Sequence, residues 1–418
     1  MRSKKHPGGL TVVLAVFALT LFMAGTRAAA QTDSLLHSFN NNGKDGTNPR
    51  GGLLADADGN LYGTTYTGGV YNYGTVFELS PKTGGGWTAK VLHSFKEDGS
   101  DGGYPEGTLI FDSAGNLYGT TDSGGTDSEG TAFELSPAAG GKWTEKILWN
   151  FGLSGGFPAA GMIFDAAGNL YGTTAAGGTY GGGTVFELSP GTGGTWTATT
   201  LHSFTFNTTT DGYFPLSSVL LDSAGNLFGT TYVGGTYGTG TAFELTPGAG
   251  GIWTETVLYN FNNGNNGSTD PNSIDAGLIA DAAGNLYGTG FNGGDYNSGG
   301  VFELTQGTGG TWTETLLHSF GSKSGDGYNP MAGLIFDASG NLYGTTYNGG
   351  TDGYGAAFKL GHNSNGSWTE KTLHSFDDNG KDGYNPYAGL IFGPGGDLYG
   401  TTGSGGAYSE GTVFAVKP

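Results

Sequence analysis

The chain has 418 residues, with 16 Lys+Arg against 36 Asp+Glu and no cysteine. Four of the basic residues, Arg2, Lys4, Lys5 and Arg27, fall in the first 30, which leaves 12 basic against 36 acidic side chains in residues 31–418. That balance excludes nucleic acid and anionic membrane surfaces as partners, because both demand positive charge. Without cysteine there is no thiol catalysis, thiolate metal site or disulfide, and a chain of this length can bury enough core without one.

In chain order, residues 1–30 come first and stand apart. A basic start at Arg2, Lys4 and Lys5 leads into a mostly apolar run from Leu10 to Ala24, and Ala28-Ala29-Ala30 precedes Gln31. This is the pattern of a cleaved secretory signal, with the cut expected after Ala30. The apolar run is short for a bilayer span, so the expected mature protein, residues 31–418, is soluble, exported and monomeric.

From residue 31 onward the chain repeats itself. Glycine, at 86 residues, is about three times as frequent as in an average chain, yet it recurs at fixed places. The motif G-N-L-Y-G-T-T, or a close variant, occurs seven times, with its aromatic at Tyr62, Tyr118, Tyr171, Phe228, Tyr287, Tyr343 and Tyr399. Successive spacings are 56, 53, 57, 59, 56 and 56 residues. A period of this size predicts a propeller or related repeat architecture.

Each unit reads as four short strands. Strand a is an apolar run such as Gly333–Phe336, strand b is Asn341–Thr346, strand c is Gly183–Leu188 in an earlier unit, and strand d is Trp312–Phe320. All are rich in β-branched and aromatic residues, and turn signals bound them. Between a and b, Asp165-Ala166-Ala167-Gly168-Asn169 and Asp281–Asn285 combine an Asp that bonds the turn backbone with a Gly free to take positive φ. These repeated aspartates are therefore expected to be turn formers.

Strands a, b and c occur seven times, but the full W-T…L-H-S-F strand occurs six times, from Trp87, Trp143, Trp196, Trp253, Trp312 and Trp368. The seventh is the lone Leu35–Phe39 ahead of the first unit, and the chain ends on a strand c, Gly411–Val416. The expected fold is therefore all-β: a seven-bladed propeller of four-stranded blades. It closes by pairing the N-terminal outer strand with the C-terminal blade, which removes a sheet edge that would otherwise aggregate.

The ordered recurrence of G-N-L-Y-G-T-T, G-T-V-F-E-L and L-H-S-F across residues 31–418 resembles the tandem GloVer repeats of secreted bacterial proteins. That resemblance implies an exported, repeat-built propeller and no particular reaction. Members often carry a C-terminal surface anchor; here Pro418 follows the last strand directly, so a released protein is expected. The c–d connections, such as Ser189–Trp196 and Thr305–Trp312, also resemble the sialidase Asp-box, with Gly191 and Gly307 in place of its Asp. A sialidase needs several arginines on the substrate carboxylate, and residues 31–418 hold one, Arg50. The likeness bears on fold alone.

Among candidate functional residues, His37, His93, His202, His318 and His374 share the second place of L-H-S-F, where two other units have Trp149 and Tyr259. A metal ligand or general base cannot become an aromatic ring and keep its role, so these histidines read as flat packing groups. The Glu of V-F-E-L, at Glu78, Glu134, Glu187, Glu244 and Glu303, reads as a solvated strand face, since glycoside hydrolysis needs one asymmetric pair.

Two loop families share one face of a propeller. The d–a loops carry D-G-x-x-P at Asp45, Asp101, Asp211, Asp326 and Asp382, with Tyr104, Tyr213, Tyr328 and Tyr384 inside the motif. The b–c loops carry G-G preceded by Tyr66, Tyr232, Phe291 or Tyr347 and followed by Tyr71, Tyr180, Tyr237, Tyr296 or Tyr408. Rings with polar tips suit a binding face, and a neutral sugar polymer could stack there while the aspartates accept its hydroxyls. The same residues could equally shape the loops and pack between blades.

No cofactor is expected, with Ca²⁺ as the alternative. The segment Asp377–Gly383 is rich in oxygen ligands but misses the alternating register of a Ca²⁺ loop. The functional expectation is a non-enzymatic binding or scaffolding propeller with a polysaccharide or protein ligand on that face. The alternative is a polysaccharide-degrading hydrolase or lyase on the same scaffold.

Overall fold

A computed structural model describes residues 33–206, 210–262 and 269–418. The expected signal at residues 1–30 lies outside the described residues. Among the described residues no helix is long and apolar enough to cross a membrane.

Blade 1 consists of strands a, Leu54–Ala55; b, Leu61–Thr65; c, Thr75–Pro81; and d, Trp87–Ser94, hydrogen-bonded in that order. Blades 2 to 6 repeat it, with outer strands Lys142–Asn150, Trp196–Thr205, Trp253–Asn260, Trp312–Ser319 and Trp368–Ser375. Blade 7 takes its a, b and c strands from Ile391–Phe392, Leu398–Thr402 and Thr412–Val416, and its outer strand from Asp33–Ser38. Asp33 pairs with Val416 and Ser38 with Thr412, antiparallel. The seven-bladed, end-to-end closure read from the sequence is the observed architecture.

One contact is made at every blade interface. The Phe of L-H-S-F in one blade meets the strand-c Phe of the next. Phe39 lies 5.1 Å from Phe77, Phe95 5.3 Å from Phe133, Phe204 5.1 Å from Phe243 and Phe376 4.9 Å from Phe414, ring centre to ring centre. Such tilted and edge-to-face pairs are favourable geometries for aromatic quadrupoles. The strand-b glycine exists to admit this ring: a Cβ on Gly63 would lie 2.7 Å from Phe77 Cζ, and one on Gly400 2.6 Å from Phe414 Cζ.

Hydroxyls tie the same interfaces nearer the axis. The first Thr of G-T-T donates to a carbonyl of the next blade, as Thr120 to Ala160 at 2.7 Å and Thr345 to Ala388 at 2.9 Å. Thr401 donates to Gly51 at 3.2 Å and so joins the last blade to the first. The a–b turns also behave as read. Asp165 Oδ1 accepts N–H bonds from Ala167 and Asn169, while Oδ2 accepts from Asn169 Nδ2 and the Tyr171 hydroxyl.

Closure rests on one cluster that joins Phe39, Leu53, Leu61 and Phe77 to Tyr399, Val413 and Ala415. Removing residues 31–40 deletes Phe39 from it and leaves Thr412–Val416 an unpaired edge. The truncated protein should aggregate and melt well below the parent. Equal melting curves and a monodisperse elution profile would refute the closure.

Candidate functional site

The five aspartates of D-G-x-x-P turn inward. Asp101 Oδ2 accepts the Lys96 N–H at 3.0 Å and Oδ1 the Gly102 N–H at 2.7 Å, and Asp326 is 0% exposed. Each has an imidazole beside it. His37 Nε2 lies 3.1 Å from Asp45, His93 3.3 Å from Asp101, His202 3.5 Å from Asp211, His318 3.5 Å from Asp326 and His374 2.8 Å from Asp382.

The L-H-S-F histidine is therefore more than a flat packing group. Its ring does pack edge-on against the neighbouring Phe, as His93 on Phe95 at 4.7 Å, but its nitrogen partners a shielded carboxylate. Where the sequence has Tyr259, the phenol donates to Asp270 at 2.7 Å and does the same work. Asp270 is the sixth aspartate of the set, missed in the sequence because Pro271 and Ile274 replace the Gly and Pro of its motif. Where Trp149 stands, the aspartate position is Ser154, so the pair is lost as a unit.

Exchange of His for Tyr should thus be tolerated and exchange for Phe should not. His374→Phe strands Asp382, at a cost of about 1–3 kcal/mol, whereas His374→Tyr should keep most of the stability. Denaturant melts of the two variants check this, and equal midpoints would return the histidines to a purely packing role.

The residue before the motif's proline, or before Ile274 where that replaces it, is held at positive φ in every blade: Asn48 54°, Tyr104 57°, Phe157 58°, Phe214 58°, Ser273 56°, Asn329 55° and Asn385 55°. Bulky residues adopt this region only under constraint. The constraint is a double clamp between loops of adjacent blades. Tyr104 donates its N–H to the Tyr73 carbonyl of blade 1 and accepts from Asp122 N of blade 2. Tyr104 therefore aligns with Phe214, one place beyond Tyr213, Tyr328 and Tyr384, which pair with the b–c loops.

The next residue after the proline points to the axis. In blade order these positions are Arg50, Glu106, Ala159, Leu216, Asp275, Met331 and Tyr387, and together they line a cavity of about 280 Å³ at the channel mouth. Seven equivalent places carry seven different side chains. Sequence inspection overlooked them because each is ordinary within its own unit; aligning the units at the proline shows the divergence.

The residue after strand b flanks this ring: Tyr66, Asp122, Ala175, Tyr232, Phe291, Tyr347 and Gly403. Arg50 donates to Glu106 at 2.5 Å, and its guanidinium lies 3.8 Å from the Tyr66 ring centre and 5.2 Å from that of Tyr387. Its Nε is buried with no hydrogen-bond partner. The Tyr347 and Tyr387 hydroxyls lie 3.3 Å apart. Gly403 makes room for Tyr387, since a Cβ there would approach its ring to 2.6 Å.

Further out, Tyr71, Tyr180, Tyr237, Tyr296 and Tyr408 at the b–c tips are between 44% and 60% exposed, and Tyr328 is 37% exposed. The oxygen-rich segment at Asp377–Gly383 spends its side chains locally, with Asn379 Oδ1 accepting from the Lys381 and Asp382 N–H groups. A second cavity, of about 320 Å³, lies between Tyr237, Tyr259 and Asp270 at the rim of blade 4. Its one carboxylate is engaged by Tyr259, and it gathers no comparable chemistry.

Burial dominates the mouth's electrostatics. Desolvation, then the Glu106 charge, pushes Asp275 up to about 7. Desolvation and Glu106 likewise raise Asp122 to about 6 against the opposing pull of Arg50.

The Gloeobacter/Verrucomicrobia repeat family matches residues 16–220, 144–335 and 276–418. The chain belongs to that family. No functionally curated protein matches it. Among solved structures, a Bacteroides uniformis protein named provisionally as a 6-phosphogluconolactonase aligns at TM-score 0.51 and 12% identity, over 79% of this chain and 85% of its own. A similarly named Bacteroides fragilis protein gives 0.48 at 15% identity, covering 82% and 87%, and a luciferin-regenerating enzyme gives 0.45 at 16%, covering 75% and 91%. At such identities the likeness concerns the propeller fold alone.

The raised carboxyls set a pH dependence. The folded chain keeps protons on Asp275 that the unfolded chain releases near pH 4, so this contribution to stability is lost as pH rises from about 4 through 7. Glu255, raised to about 7, and Glu314, raised to about 8, both chiefly by burial, act in the same direction. The melting temperature should therefore fall between pH 5 and 8, and Asp275→Asn should flatten that slope. A variant with an unchanged slope would show that Asp275 is already ionised in the folded protein.

Proposed function

We propose that this protein is an exported, non-enzymatic binding propeller whose ligand is a polysaccharide, held on the face that carries the d–a and b–c loops and centred on the channel mouth. One observation carries the reading: the framework beneath is repeated seven times, while the axial positions from Arg50 to Tyr387 diverge completely. An asymmetric ring on a symmetric scaffold is what recognition of a directional ligand needs. Ring faces, a guanidinium and carboxyls in one small cavity match the alternating apolar faces and hydroxyl edges of a sugar.

In this reading Tyr66, Tyr347, Tyr387 and the exposed tip tyrosines supply the platforms, while Arg50, Glu106 and Asp275 supply directional hydrogen bonds. Tyr232 and Phe291 extend the platform on the far side. Asp45, Asp101, Asp211, Asp326 and Asp382 contribute from below by fixing the loops through their histidine and backbone bonds. Export of residues 31–418 after cleavage at Ala30 belongs to the same proposal and rests on the N-terminal pattern.

A second reading has a specific observation behind it. Asp275 is raised to about 7 and Asp122 to about 6, each under the influence of Glu106, and carboxyls with raised pKa values are the raw material of glycosidic-bond cleavage. Glycan-array binding by the mature protein, followed by a reducing-end assay on any ligand found, separates the two. Tyr387→Ala and Arg50→Ala should each weaken binding several-fold, at about 1 kcal/mol per stacked or charged contact, with no reducing ends released. Release of reducing ends that Asp275→Asn abolishes would favour the hydrolase, and binding indifferent to both Tyr387 and Arg50 would remove the ligand from the mouth.

A further inference from the structure

Away from the mouth, the outer wall between blades 1 and 2 gathers three donors from three segments: His93 on strand d of blade 1, Asp101 on the connecting loop and Glu145 on strand d of blade 2. One ligand atom from each lies within 4.8 Å of the other two. His93 Nε2 is 3.3 Å from Asp101 Oδ2 and 3.6 Å from Glu145 Oε1. Charge-assisted N–H···O bonds run about 2.7–2.9 Å, so the His93–Asp101 hydrogen bond, at 3.3 Å, is a long one. Both spacings suit the edges of a metal tetrahedron, which come to roughly 3.4 Å for zinc–ligand bonds of about 2.1 Å.

Glu145 Oε1 is buried, faces the imidazole at 3.6 Å and lies against the Asp101 carboxyl, with no N–H donor at hydrogen-bond distance. Asp101 is oriented from behind by the Lys96 and Gly102 N–H groups, the kind of support that ligating carboxylates receive. Two shielded carboxylates thus face one imidazole. Lys96 is the nearest cation, and its ammonium stands over the Tyr71 ring at 5.6 Å.

The interface between blades 5 and 6 is a built-in control. His318, Asp326 and Glu370 repeat the three donors, but there Lys323 Nζ reaches Glu370 Oε2 at 2.7 Å and supplies the positive charge itself. At two other interfaces the Glu position is Ala89 or Ala198, and at a third the His position is Tyr259; the blade 3–blade 4 interface also carries His202, Asp211 and Glu255, but their ligand atoms are not gathered within 4.8 Å of one another. Among the described residues the donors are gathered without a lysine partner only at the blade 1–blade 2 interface, so exchange of His for an aromatic ring elsewhere is compatible with a metal here.

We propose that the blade 1–blade 2 interface binds one divalent ion of the zinc class through His93 Nε2, Asp101 and Glu145, with solvent as the fourth ligand. Binding through Nε2 places the imidazole proton on Nδ1.

Calorimetric titration of chelator-treated mature protein with Zn²⁺, and visible absorption with Co²⁺ as a tetrahedral reporter, test it. We expect one ion per chain, an intense Co²⁺ band and a Zn²⁺-dependent rise in melting temperature. Glu145→Gln should keep the shape of the interface while weakening binding at least tenfold and abolishing the thermal shift; His93→Ala should do the same. Glu370→Gln should leave the titration unchanged. No stoichiometric uptake, uptake unaffected by Glu145→Gln, or equal loss with Glu370→Gln would each overturn the assignment.

Discussion

The structure depends on one contact made seven times: a phenylalanine at the end of each outer strand, pressed against the strand-c phenylalanine of the next blade, which lies over a glycine. Phe320 and Phe358 make it at 5.1 Å with Gly344 beneath, where a Cβ would meet Phe358 Cζ at 2.7 Å. None of the three residues can change alone. A larger residue at the glycine overpacks the site and a smaller one at either ring leaves a cavity. The recurrence of G-N-L-Y-G-T-T and L-H-S-F is therefore the imprint of an interface, and the propeller closes because the first and last units present its two halves.

Outside this apolar layer lies a polar one, and its exceptions explain it. A carboxylate taken from water needs a partner or it destabilises the fold. Five loops answer with histidine and one with Tyr259. At the blade 2–blade 3 interface the carboxylate itself is gone: Ser154 takes its place, Trp149 replaces the histidine and Ala198 the facing glutamate. There Trp149 and Ala198 pack against the apolar cluster of Met162 and Phe186. Loss of the whole set at once is the signature of parts whose cost is shared. With the positive-φ clamps at Tyr104, Phe157 and their counterparts, this layer holds the face-forming loops at set heights above the sheet.

The fold was legible because its determinants are local. Alternating strands and Asp-x-x-Gly-Asn turns can be read within one unit, and the displaced outer strand follows from counting the units. The partnerships of the site are not local in that sense. His93 and Asp101 are eight residues apart, too far along a helix or a strand to touch; a bulge at Leu92 and the returning loop bring them together. Arg50, Glu106, Asp275 and Tyr387 are scattered over more than 300 residues and meet only because the ring closes. Their variability looked like noise within a repeat until the axis gathered them. The aspartates drew attention for the opposite reason, since their recurrence, which suggested a binding array, was the mark of a structural part.

This division of labour bears on what the mouth could recognise in the proposed binding role. With 12 basic against 36 acidic residues in 31–418, the protein's field repels anions at long range. Arg50, the sole guanidinium in that span, does not reverse the field, because Glu106 compensates it and Tyr66 and Tyr387 cover its faces. What it still offers is a directional N–H in a narrow cavity, next to two tyrosine hydroxyls and a carboxyl whose proton is held near neutrality. Such a site has little to give a charged partner drawn in by steering. In the binding role proposed above, it would favour a neutral partner that brings its own hydroxyls and a flat face, because buried polar groups reward the ligand that satisfies them all and penalise one that leaves any unpaired.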